Sequence, residues 1–254
     1  MTLPPAPAAD GSGQVAGCVP WAGARAVVDV IIIYIVAQII AGIAVVVVTR
    51  GPSESALPLL LVISPLATLV VALAWLGLRY QGRLASIGGR RSARATDVVV
   101  GLWVGVACLL GQRAIVLVIE VIADRAGIEL PVVQEAFRMI AQRPDAAPLL
   151  VLTTVLLAPV AEETVFRGIL FQGLRARTGF WPAALASGGL FTLAHLGEGG
   201  GWLAAIVITS GILPLGVVFA ALVERRGSLV PSVVAHATYN AIGVAALIVT
   251  SGQL

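Results

Sequence analysis

Two adjacent carboxylates, Glu162 and Glu163, lie inside an apolar stretch at 149–171, and Arg167 follows one helical turn beyond Glu163. Ionisable groups at membrane depth are costly and need a partner or a function. On a helix, Glu163 and Arg167 are i and i+4 and can pair directly, whereas Glu162 is rotated by about 100° and faces elsewhere. One carboxylate can therefore be neutralised while its neighbour stays available. Two further apolar segments each carry one of the chain's two histidines: Phe191 with His195, and His236 with Asn240. Each pair is spaced i, i+4 and projects to one side of its helix.

Hydrolysis is the chemistry such groups support. A carboxylate in a poor dielectric binds protons more tightly than in water, which suits a general base near neutral pH. Glu162 is the candidate base for a water molecule. His195 is placed to orient that water or to pass a proton to a leaving amine. His236 and Asn240 are candidates to donate to the oxyanion of an amide under attack, a contribution of a few kcal/mol each in such sites. No Ser/His/Asp nucleophile set accompanies them. Glu162, His195 and His236 would also make a legitimate zinc set, but the HExxH arrangement on one helix is absent. The expectation is water activation without a metal. The competing readings are a proton- or ion-coupled transporter, whose buried Glu, Arg and His would form an ion path, and a non-catalytic peptide-binding immunity protein.

The three segments spell EExxxR at Glu162–Arg167, FxxxH at Phe191–His195 and HxxxN at His236–Asn240. In this order, on separate apolar spans, they resemble the CPBP (CAAX protease and bacteriocin-processing) family of intramembrane proteases. The resemblance covers about residues 148–249. It implies an all-helical membrane core with a site opening toward the cytoplasm. It also implies water activation by Glu162 and His195, oxyanion stabilisation by His236 and Asn240, and support from Glu163 and Arg167. The family has been described both as metalloproteases and as metal-independent glutamate proteases. The implied substrate is a membrane-associated or lipidated peptide or protein.

The composition dictates what positions these residues. Hydrophobic residues make up 59% of the chain and charged residues 11%, and the mean hydropathy is +1.00. Apolar runs of about 20 residues, long enough to cross a hydrocarbon core, recur along the chain. The expected class is all-α, a polytopic membrane helix bundle of about seven transmembrane helices plus one interfacial helix. The spans are expected near 27–48, 57–78, 98–122, 148–170, 182–196, 202–223 and 230–249. Residues 131–142 have the mixed pattern of a helix lying at the membrane surface. The face of the third span carrying Arg113 and Glu120 is expected to point into the bundle.

The organisation expected is a disordered cytoplasmic tail at 1–24, an N-terminal transmembrane region at 25–146 and a catalytic transmembrane core at 147–254. The net charge of +3 and pI near 9.4 do not indicate nucleic acid, because the basic residues fall in loops between spans. All 16 are arginine, and the chain looks bacterial. Arginine crowds the loop after the second span, so that loop is expected inside. The expected location is the cytoplasmic (inner) membrane, with the N-terminus cytoplasmic and the C-terminus external. Cys18 and Cys108 have no metal-type spacing and are not expected to pair.

Overall fold

The computed structural model describes residues 19–51, 56–80, 87–89, 92–130, 147–198 and 201–250. The chain is all-helical across them, as the composition requires. Seven helices follow in order: α1 Ala24–Thr49, α2 Ala56–Arg79, α3 Ala95–Ala126, α4 Pro148–Arg175, α5 Phe180–His195, α6 Gly201–Arg226 and α7 Val230–Thr250. Six are long and apolar enough to cross a membrane; α5 is the exception. Its 16 residues rise only about 24 Å, and it ends on a tight turn at Leu196–Glu198. The expected seven spans are therefore six spans and one shorter helix. With this apolar content, the chain is an integral membrane protein. The interfacial helix expected at 131–142, and residues 1–18 of the expected tail, lie outside the described residues. The last residues of that tail are packed: Val19 and Trp21 are buried against the bundle.

The helices alternate in direction. At one end, Gly23 N–H donates to the Gly173 carbonyl (2.7 Å), joining the start of α1 to the end of α4. Trp75 and Tyr80, at the end of α2, donate to buried Asp29 in the first turns of α1. Arg226, closing α6, reaches Asp97 in the first turn of α3 at 2.8 Å. Arg175, closing α4, meets Glu224 at 3.0 Å. Leu229 N–H donates to the Gly88 carbonyl (3.0 Å), tying the start of α7 to the same end. Arg25, Arg79, Arg94, Arg175, Arg177, Arg225 and Arg226 gather here, whereas Arg50 and Arg125 fall at the opposite end.

Below the arginine-rich end, Leu76, Ile87, Ile169, Leu170, Phe171, Val223 and Leu229 join Trp21 in one buried cluster. Isoleucines and valines along α1 and α3 are largely exposed outward, the side that lipid covers. Small residues set the depth at which α7 sits. A Cβ at Gly105 would lie 2.5 Å from the Ala235 carbonyl oxygen and 2.7 Å from Thr238. Only glycine lets α3 come this close to the turn of α7 that carries His236. Arg113 and Glu120 pair with each other at 3.2 Å, but they are exposed, not turned into the bundle. Their mutual neutralisation lowers the cost of facing outward, and Gln112 turns inward instead.

Candidate active site

The helix carrying the two carboxylates is irregular, and the sequence explains one irregularity. Pro159 has no N–H to give. Just before it, residues Leu152–Leu157 widen into π-helical turns, in which Ala158 N–H bonds the Thr153 carbonyl five residues back. The next carbonyl, that of Thr154, would by the same register need the N–H of residue 159. Thr154 is thus left with a bare acceptor at membrane depth, and Asn240 on α7 fills it through Nδ2 at 2.8 Å. A proline in α4 thereby fixes an amide on α7. Residues Thr164–Phe171 widen in the same way below the carboxylates. Wide turns of this kind are frequent at functional sites.

Glu163 and Arg167 form the floor. Both side chains are fully buried, and Arg167 Nη1 donates to Glu163 Oε1 at 3.0 Å. The guanidinium lies over the rings of Phe191 (4.4 Å) and Phe219 (5.4 Å), a cation–π environment. Its Nε and Nη2, and Glu163 Oε2, have no hydrogen-bond partner among the described residues. The same Glu163 Oε1 lies 3.1 Å from His236 Nδ1. A carboxylate oxygen accepts, so His236 Nδ1 carries the hydrogen and its Nε2 faces the other way.

Glu162 lies on that other side. Its Oε2 is 3.7 Å from His236 Nε2 and 4.0 Å from His195 Nε2. His195 Nδ1 lies 2.8 Å from the Phe191 carbonyl oxygen, so its hydrogen too points away from Glu162. Two ring nitrogens and one carboxylate oxygen thus present lone pairs to a common hollow. Three acceptors facing one another are stable only around a donor, and a water molecule supplies two hydrogens. Phe191 packs edge-on against both imidazoles, and Phe219 stacks on His236 at 5.3 Å. Rotation of either ring is thereby restricted.

These groups line one wall of a cavity of about 680 Å³ bounded by all seven helices. The structure brings Glu162, His195, His236 and Asn240 together, with Glu163, Arg167 and Phe191 beneath them. Sequence reasoning missed the contribution of α1 and α2: Tyr34, Gln38, Ser64 and Thr68 face the same cavity, and Ser64 donates to Gln38 at 2.9 Å. Their signal was available, since they are polar residues inside otherwise apolar spans. Phe219 and Thr154 carried no such signal. Among the described residues, no group of three or more His, Cys, Asp or Glu is arranged to hold a metal ion.

Comparison with known proteins points to one family. Residues 144–242 match the family described as type II CAAX prenyl endopeptidase Rce1-like. A protein of Escherichia coli, described as an uncharacterized 24.3 kDa protein, is 38% identical over 96 residues. That match covers 36% of this chain and 43% of the relative, so the chain spans less than half the length of the relative it matches. No solved structure matches the chain.

Proposed function

With residues 144–242 matching the Rce1-like family of type II CAAX prenyl endopeptidases, we propose that this chain is an intramembrane endopeptidase that cleaves by activated water. The observation that carries the reading is the hollow faced by Glu162 Oε2 and the two histidine Nε2 atoms, 3.7 and 4.0 Å from the carboxylate. A water held there donates one hydrogen to Glu162 and the other to an imidazole. As its oxygen attacks the peptide carbonyl, Glu162 takes the proton. The C–N bond then breaks, and the proton passes to the departing amine through Glu162 or His195. The products are a carboxylic acid and an amine, which become carboxylate and ammonium as the acid's proton passes to the amine.

The oxyanion falls to α7. Asn240 spends one amide hydrogen on Thr154 and keeps a second to donate. His236, its ring held by Glu163 behind Nδ1, donates from Nε2 once a hydrogen is on that atom. Glu163 and Arg167 act as positioning residues. The unit carrying the chemistry is 147–254, and side chains of α1, α2 and α3 complete the cavity wall. The substrate is a membrane-associated or lipidated peptide. The arginine distribution supports an orientation in the cytoplasmic membrane with the N-terminus inside and the C-terminus outside.

No step in this scheme uses a metal. The test is a purified-protein assay on a peptide library, comparing wild type with Glu162→Gln, each with and without a strong chelator. Cleavage should survive the chelator and disappear in Glu162→Gln. Equal cleavage by wild type and Glu162→Gln removes Glu162 as the base, and loss with the chelator that zinc restores removes the metal-free scheme.

A further inference from the structure

Two glutamines face the cavity from walls that the hydrolysis scheme does not use. Gln38 on α1 and Gln112 on α3 both line it. Each lies near the middle of its helix, where lipid offers a side-chain amide no partner. Gln38 accepts the Ser64 hydroxyl at Oε1 (2.9 Å), and its two amide hydrogens have no partner among the described residues. Gln112 has no hydrogen-bond partner among them at either end of its amide. Its side chain is nevertheless backed by α6. A Cβ at Gly211 would stand 3.2 Å from Gln112 Nε2 and 3.3 Å from its Cγ, so glycine there makes the room in which this side chain lies. An amide kept at membrane depth with no bond of its own is costly until a bound molecule completes it.

The register of the helices relates both amides to the carboxylate. The rings of Tyr34 on α1 and Phe166 on α4 lie 5.8 Å apart, and the two helices run in opposite directions. One turn on from Tyr34 is Gln38, and one turn back from Phe166 is Glu162, so Gln38 is level with Glu162. Gln112 follows Gly105 by two turns on the same face of α3, and Gly105 packs against the turn of α7 that carries His236. Gln112 therefore lies about 10 Å along the bundle from the level of His236. The α7 wall of the cavity continues the same way, from His236 through Asn240 and Gly243 to Leu247, a rise of about 16 Å. An extended peptide rises about 3.3 Å per residue, so about five residues fit along this wall. Its backbone N–H and C=O groups need polar partners there, and a carboxamide carries both a donor and an acceptor. We propose that Gln38 and Gln112 bind the backbone of an extended peptide substrate, Gln38 at the bond to be cut and Gln112 about three residues from it. The placement of the cut bond rests on the peptidase reading. Contacts to the backbone leave the side chains of this segment weakly selected.

The experiment uses the full-length protein in detergent with Glu162→Gln as the parent, and counts bound probe, intact or cut, by mass spectrometry. A random peptide library is passed over the immobilised parent, and the most tightly retained member becomes the probe. Gln38→Met or Gln112→Met, added singly, should weaken its binding about tenfold, the cost of leaving a buried backbone group unpaired. A set of probes then carries an ester in place of one backbone amide at a time, which deletes that N–H and weakens its C=O. The parent should lose about tenfold in affinity at two positions about three residues apart. Gln38→Met should no longer sense one of them and Gln112→Met the other, a pattern that a merely structural glutamine would leave unchanged. The proposal is overturned if no library member is retained, if no ester weakens binding to the parent, or if the pattern is the same in both Met variants. The two glutamines sit on different helices, and the scan on the parent alters neither, so one variant failing to fold leaves the test standing. Binding does not depend on turnover, so the outcomes separate. The expected ester pattern without Glu162-dependent cleavage removes the peptidase and keeps the two backbone contacts. Glu162-dependent cleavage with an unchanged pattern does the opposite.

Discussion

Replacing Glu163 and Arg167, singly and together, separates what holds this site together from what makes it react. Both side chains are fully buried, 3.0 Å apart, and Glu163 has a second duty at His236 Nδ1, 3.1 Å away. Glu163→Leu leaves a guanidinium with no carboxylate, facing only the rings of Phe191 and Phe219. Breaking a buried pair from one side costs about 3–5 kcal/mol. For a chain of this size that is a fall of about 6–20 °C in melting temperature, at about 2–4 °C per kcal/mol. Arg167→Met should cost less, because Glu163 keeps one donor in His236. The double variant Glu163→Leu/Arg167→Met removes both charges and three buried polar atoms that lack partners. Replacing a whole buried pair by apolar residues is often close to neutral, so the double should lie within about 2 kcal/mol of wild type, a coupling expected of residues in direct contact. Its activity should not recover. His236 has lost the acceptor that sets its ring, and misplacement of a catalytic group by about 1 Å costs roughly 100-fold. Thermal unfolding in detergent and peptide cleavage, read on the same four proteins, test this. A double variant whose loss equals the sum of the singles, or one that regains wild-type cleavage, would refute the reasoning.

Three further outcomes follow from the geometry. Pro159→Ala restores an N–H where the Thr154 carbonyl now waits for Asn240, so the amide loses its anchor; cleavage should fall while the melting temperature holds or rises, and a variant with unchanged turnover would remove Thr154 from the design. Gly105→Leu pushes α3 against the Ala235 carbonyl, where an added Cβ has only 2.5 Å; overpacking of this kind costs about 1–3 kcal/mol, and melting should show it with an accompanying loss of cleavage through displaced His236. Asn240→Ala should lower kcat by roughly 10²-fold, as loss of one oxyanion donor does, and leave KM nearly unchanged; a rise in KM alone would reassign Asn240 to substrate binding.

Much of this protein was written in its sequence. Long apolar runs leave a chain in lipid no choice but helices, because every backbone N–H and C=O must be satisfied within the segment. The i, i+4 spacing put Glu163 against Arg167 and turned Glu162 away, and this needed only the pitch of a helix. The same periodicity marked His195 and His236 as facing one side of their helices. Other features arose only when helices met. No local pattern states that Pro159 frees a carbonyl for Asn240, since the carbonyl and the amide are 86 residues apart. The outward turn of Arg113 and Glu120 likewise depended on which face of α3 met α7, and that was decided by Gly101 and Gly105. The shortness of α5 settles a depth that counting residues could not. His195 lies beside Glu162 at the last residue of its helix, and the side of the cavity toward the arginines is filled by apolar side chains from several separate stretches of chain. Spacing along one helix fixes which side chains point together; only packing between helices fixes how deep they lie and what space is left between them.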